Sequence, residues 1–345
     1  MNVILIGALL AVFGGAVNGM FALPMKLAKK WSWENVWLPF SALALVIFPY
    51  LVAVVGAPQL AAAYGNSEPS SILTGFIMGI CAYFGSLLFG ISLGLIGNSL
   101  AFSLLVGSMS AVGVLGPMLL FHPEKLVTLG GRWIDLGILL MFVALVVCAR
   151  AGNLMGKAKG TDSPQKRGGS AVLKGMLLAI AGGVLSGFLP MGLSMPWAGN
   201  IASSAVQFGG AGATTAQFVV LLPVLIGGAL PNCIYAIWLL FKNKTWSSYK
   251  GTSSYWLIIL LMGVMYTGST VMWGASSSSA LLGTLGPSVG WALFICGIVV
   301  SSNIGGFATG EWKGAGSKAL TWMIAGVFIM VFAATCIGYG NYRLN

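Results

Sequence analysis

Long apolar stretches separated by short polar gaps organise this chain. Ten of them reach or approach the roughly 20 residues that a helix needs to cross the hydrocarbon of a bilayer. They are Val3–Leu23, Trp37–Ala57, Ile72–Leu93, Ser99–Phe121, Trp133–Arg150, Ala171–Met191, Thr214–Phe241, Tyr255–Ala275, Ser279–Ser302 and Ala319–Tyr339. The runs are continuous and do not alternate, which suits helices and not the ~10-residue strands of a membrane barrel. The pattern predicts an all-α membrane protein with ten transmembrane helices.

Charge agrees with that reading. Of 345 residues, 17 are Lys or Arg and 6 are Asp or Glu, while 58% are hydrophobic and the mean hydropathy is +0.94. So little charge cannot cover a water-soluble exterior, whereas lipid demands its absence. The first run lacks a basic segment before it and is followed by Lys26, Lys29 and Lys30, so it reads as a retained span. The longest polar stretch, Gly152–Ser170, reads as a flexible linker and leaves no room for a soluble domain. The net charge of +11 is spread over many loops. That distribution suits lipid headgroups and topology signals, and no nucleic-acid partner is expected. Cys81, Cys148, Cys233, Cys296 and Cys336 all fall inside apolar runs without a paired spacing, so neither a metal nor a cofactor is expected.

The gaps set an orientation. Fourteen of the 17 basic residues fall in the first, fifth, seventh and ninth gaps and their flanks; Lys125, Arg132 and Arg343 fall on the other face. The positive-inside rule makes the richer face cytoplasmic and puts both termini outside, in a multi-pass protein of the inner (cell) membrane.

Two segments repeat. Gly7-Ala-Leu-Leu-Ala-Val-Phe-Gly-Gly-Ala-Val-Asn-Gly19 aligns with Gly175-Met-Leu-Leu-Ala-Ile-Ala-Gly-Gly-Val-Leu-Ser-Gly187, with seven of thirteen positions identical. Tyr83-Phe-Gly-Ser86 in the third run is echoed by Tyr266-Thr-Gly-Ser269 in the eighth. Each half has five spans, an odd number, so the second must enter the membrane upside down. The expected organisation is two inverted five-helix repeats, 1–150 and 171–345, joined by a cytoplasmic linker at 151–170. Inverted repeats are an architecture of secondary transporters, with the substrate held at mid-membrane between the halves.

No Asp, Glu, Lys, Arg or His lies near the middle of any run. A channel or pump for charged solutes usually keeps such a group in its path, and an enzyme acting on lipid-linked sugars would want paired carboxylates, for which Glu124 and Asp135 are the only weak candidates. A neutral polar solute needs only hydroxyls, amides and aromatic faces. The residues of those types placed to bind it are Asn18 and Ser186 in the repeated segment, and Tyr83, Ser86 and Ser108 in spans three and four. Spans eight and nine add Tyr266, Thr267, Thr270, Trp273 and Trp291. Trp197 and Trp322 read as interfacial, Ser276–Ser279 as a turn or polar vestibule, and Glu34 and Glu311 as partners of loop lysines.

Four phrases carry a resemblance: Lys29-Lys-Trp-Ser-Trp-Glu34, Gly130-Gly-Arg132, Ala149-Arg-Ala-Gly-Asn-Leu154 and Glu311-Trp-Lys-Gly-Ala-Gly316. Together they resemble the L-rhamnose/proton symporter family of the drug/metabolite transporter superfamily. The resemblance implies ten helices around a central cavity lined mainly by spans one, three, four, six, eight and nine. It also implies uptake of L-rhamnose or a related deoxyaldose or aldose with protons, by a non-enzymatic carrier. The alternatives are a transporter of the same fold for another metabolite, such as an amino acid or nucleoside, and a sugar facilitator without proton coupling.

Overall fold

The computed structural model describes residues 3–160, 169–250 and 253–345; within them the side chains of 98, 99, 103 and 169 lie outside the description. Ten helices are long and apolar enough to cross a membrane, and no strand occurs among the described residues. Span one is Val3–Met20, span three Pro69–Ile96, span five Leu129–Ala158 and span six Gly169–Gly192. Spans seven to ten are Ala216–Asn243, Ser253–Ser276, Gly286–Ala308 and Ser317–Leu344. Span two runs from Trp33 to Gly56 through a π-helical turn at Leu43–Ile47. Span four runs from Asn98 to Phe121 through a second such turn at Ala111–Leu115.

Local chemistry explains several ends. Pro69 occupies the first turn of span three, where its missing N–H is an orphan anyway. Thr128 caps span five, its hydroxyl accepting from the Gly131 amide at 3.0 Å. Gly97 joins spans three and four alone at φ 79°, a backbone state that other residues reach only with strain.

Short helices between the spans, among them Leu60–Gly65 after span two and Pro196–Phe208 after span six, carry no signal in the sequence, because none is long enough to cross the membrane. These two pack on one another at one end of the bundle. Trp197 belongs to this region and is buried, its ring over Gly75 and Gly192, so it is not the interfacial residue expected. Span five continues eight residues past Arg150, so helix occupies the start of the segment read as linker; 161–168 lie outside the described residues.

The packing interleaves the two parts of the chain. Span one lies against spans eight and nine, and span six against spans three and four. Spans five and ten pack on each other, and span seven lies beside spans two and three. Backbone touches backbone in the first two contacts. A Cβ on Gly15 would lie 2.0 Å from the Phe294 carbonyl oxygen, and one on Gly183 would lie 2.4 Å from that of Leu105. Only glycine permits either approach, as in other close membrane helix pairs.

Polar bonds tie the ends. On the lysine-rich face Lys26 pairs with Glu311, as expected for Glu311, and Lys159 donates to the Glu311 carbonyl. Glu34 behaves differently: it is buried and accepts from the Asn243 amide and the Thr245 hydroxyl, each at 2.9 Å. A buried carboxylate needs such donors more than it needs a solvated lysine. On the opposite face the Gln59 amide donates to the Gly209 carbonyl, and the Thr215 hydroxyl donates to that of Gly56. The serines at 276–278 are buried and bond to the carbonyls of Trp273 and Ala213, so they form a closed turn and no vestibule.

Candidate functional site

A cavity of about 210 Å³ lies where spans one, three, four, six, seven, eight and nine converge. It falls below the ~300–1,000 Å³ of drug-sized pockets, a scale that suits a small solute. Eight of the ten expected residues line it: Asn18, Tyr83, Ser86, Ser186, Tyr266, Thr270, Trp273 and Trp291. The other two sit elsewhere. Thr267 is buried and donates to the Ala44 carbonyl at the π-turn of span two, 3.3 Å away, satisfying a carbonyl in a region where the helical ladder is irregular. Ser108 faces Gly183 in the contact between spans four and six.

The polar side is cross-linked between distant parts of the chain. The Asn18 amide donates to the Ser269 hydroxyl at 2.9 Å, and that hydroxyl donates to the Tyr266 carbonyl at 2.7 Å. Thr270 also donates to the Tyr266 carbonyl, at 2.9 Å, and Ser186 donates to the Ala82 carbonyl at 3.1 Å. The phenols of Tyr83 and Tyr266 share a hydrogen bond of 2.5 Å. These two tyrosines are the echo seen in the sequence, and they meet head to head.

Two aromatic clusters form around residues that line the cavity. Phe21 and Phe40 stack at 5.4 Å, and each presents an edge-to-face contact to Tyr266. Elsewhere Trp273 lies 4.9 Å from Trp291, which stacks on Phe294 at 5.4 Å. Both indole N–H groups are buried with no hydrogen-bond partner. Buried polar groups are normally satisfied, so these two donors are left at a cost to the fold, and the Trp291 nitrogen faces Gly113 of span four.

Sequence reasoning missed the apolar lining: Leu105, Met109, Leu189, Leu225, Phe294 and Ile298. A leucine turned toward a cavity carries no signal that separates it from one turned toward lipid.

A larger space of about 820 Å³ runs beside spans one, nine and ten. Its walls are almost entirely hydrocarbon, and its hydroxyls at Ser301 and Thr335 donate to carbonyls of their own helices. Leu5, Leu9 and Val331 on its rim are exposed, so it is a lipid-side groove and not a polar site.

A polytopic helical protein enclosing a small, uncharged, polar and aromatic cavity is a membrane transporter for a neutral solute. Comparison with known proteins carries this further. The family model for the L-rhamnose-proton symport protein (RhaT) matches residues 1–342, and the chain belongs to that family. The family is one of transporters, not enzymes. Relatives named L-rhamnose-proton symporter include one from Escherichia coli O9:H4 (strain HS) and one from Citrobacter koseri, each 25% identical over 98% of both chains. The protein of that name from Yersinia pestis bv. Antiqua is 24% identical over the same share.

Proposed function

We propose that this protein imports L-rhamnose with protons across the inner membrane by alternating access, using the cavity between its helices as the sugar site. The end-to-end family match is the observation that carries the reading. Supporting it, the cavity is lined by hydroxyls, an amide and indoles and by no ionised group, as a neutral polyol requires. In this reading Asn18, Tyr83, Ser186, Tyr266 and Thr270 exchange their hydrogen bonds for sugar hydroxyls, Ser86 adds its hydroxyl beside them, and Trp273 and Trp291 stack on the ring.

The chain comprises two inverted five-helix repeats. The repeated phrase supports this, as does the matching way in which Gly15 and Gly183, equivalent in that phrase, press on spans nine and four. The lysine-rich face is cytoplasmic and both termini are outside, following the distribution of basic residues. Access alternates as the halves rock about the site, each state being stabilised by its own contacts.

One observation favours a second reading, a facilitator without proton coupling: no carboxylate, imidazole or amine lines the cavity. Uptake of labelled L-rhamnose into proteoliposomes separates the two. Saturable uptake that rises when the outside is made acidic supports the symporter. Saturable uptake indifferent to the gradient leaves the facilitator, and no saturable uptake removes both.

A further inference from the structure

The two sides of the cavity differ in chemistry. Spans one, three and eight present Asn18, Tyr83, Ser86, Tyr266 and Thr270, whereas span four presents only Leu105 and Met109, and span six presents Leu189 and a single hydroxyl, Ser186. Leu105 and Met109 are four residues apart, stacked on one face of span four. Span six is clamped to that same stretch. A Cβ on Gly183 would lie 2.4 Å from the Leu105 carbonyl oxygen, and one on Gly187 would lie 3.0 Å from that of Met109. Leu189 follows two residues later on span six. All three side chains line the cavity and give it an apolar wall on these two spans, Leu189 from a face of span six turned away from the glycine contact. The hydroxyl of Ser186, also on span six, donates to the Ala82 carbonyl where spans six and three pack directly together.

We propose that this wall seats the methyl group of a 6-deoxy sugar, and that Met109 and Leu189 set the preference for that sugar over its 6-hydroxy counterpart. The inference rests on the transport reading above and names the part of the site that selects the substrate. A methyl group placed there loses only contact with water. A hydroxymethyl group must surrender its hydration, and Leu105, Met109 and Leu189 offer it neither donor nor acceptor. An apolar pocket of this kind rejects an added hydroxyl by on the order of 10- to 100-fold and no more. Sugar orientation follows from the same asymmetry: the ring hydroxyls turn toward Asn18 and the tyrosine pair.

The test is competition. Uptake of labelled L-rhamnose into proteoliposomes is inhibited by unlabelled L-rhamnose and by L-mannose, the same sugar with a hydroxyl at C6. In the unaltered protein the half-inhibiting concentrations differ by roughly 10- to 100-fold. Met109→Ser and Leu189→Ser shrink that ratio about tenfold, mainly by weakening the deoxy sugar, whereas Met109→Leu and Leu189→Met keep it. The conservative pair shows whether the wall tolerates substitution, and a ratio is independent of how much protein folds. An unchanged ratio in both serine variants, with L-rhamnose still taken up, overturns this inference alone. No uptake by the unaltered protein overturns the transport reading and the inference with it.

Discussion

At the scale of single residues, the tyrosine pair is the most exposed to test. Tyr83 and Tyr266 come from spans three and eight and share one hydrogen bond inside the bundle. Replacing either by Phe leaves the other phenol buried without its partner, at about 1–3 kcal/mol. Replacing both removes the orphan as well, so the double variant is expected to lose less stability than the two single losses added together. Thermal unfolding of the three purified variants measures this; simple additivity would mean that the bond is absent in the membrane. Both tyrosines were legible in the sequence, as were Asn18, Trp273 and Trp291, because a polar or amphipathic side chain inside an apolar run is costly in lipid and stands out. Leu105, Met109 and Leu189 were illegible for the converse reason. Glu34 was misread because only the fold shows that Asn243 and Thr245 arrive beside it.

Among the elements, spans one and six are held by contacts that leave no room for a methyl group. Gly15→Ala and Gly183→Ala each drive a Cβ into a carbonyl oxygen of the neighbouring helix, and the helices must separate to admit it. Such overpacking costs about 1–3 kcal/mol, and both variants are expected to melt earlier and to transport poorly. Gly107 and Gly268, on spans four and eight, supply the control: a Cβ there meets nothing within 4 Å. Alanine at either is expected to be neutral or slightly stabilising, since helical glycine is entropically unfavourable. Equal effects in the two pairs, measured by thermal unfolding in detergent, would contradict the packing described. Element number and type were readable because hydrocarbon thickness imposes its own length on every span. The helices Leu60–Gly65 and Pro196–Phe208 escaped because nothing imposes a length on them. The π-helical turns at Leu43–Ile47 and Ala111–Leu115 escaped because such turns answer to neighbours in space and not to local pattern.

For the whole molecule, transport requires that the two ends of the bundle do not stay closed together. Lys26, after span one, pairs with Glu311, before span ten, and so bridges the two parts of the chain on the lysine-rich face. An exposed pair of this kind contributes about 0–1 kcal/mol, weak enough to break in every cycle. A cysteine pair at the two positions, Lys26→Cys with Glu311→Cys, is expected to transport when reduced and to stop when oxidised, with activity restored by a thiol. Full activity of the oxidised form would show that this face does not need to open. In the proposed cycle a neutral sugar crosses together with a charge carried by protons. Current is therefore the most direct readout: proteoliposomes adsorbed on a solid-supported membrane receive a jump of L-rhamnose at equal pH on both sides. A transient inward current is expected that saturates with L-rhamnose and vanishes in liposomes without the protein. Saturable uptake of the labelled sugar with no accompanying current would contradict that cycle.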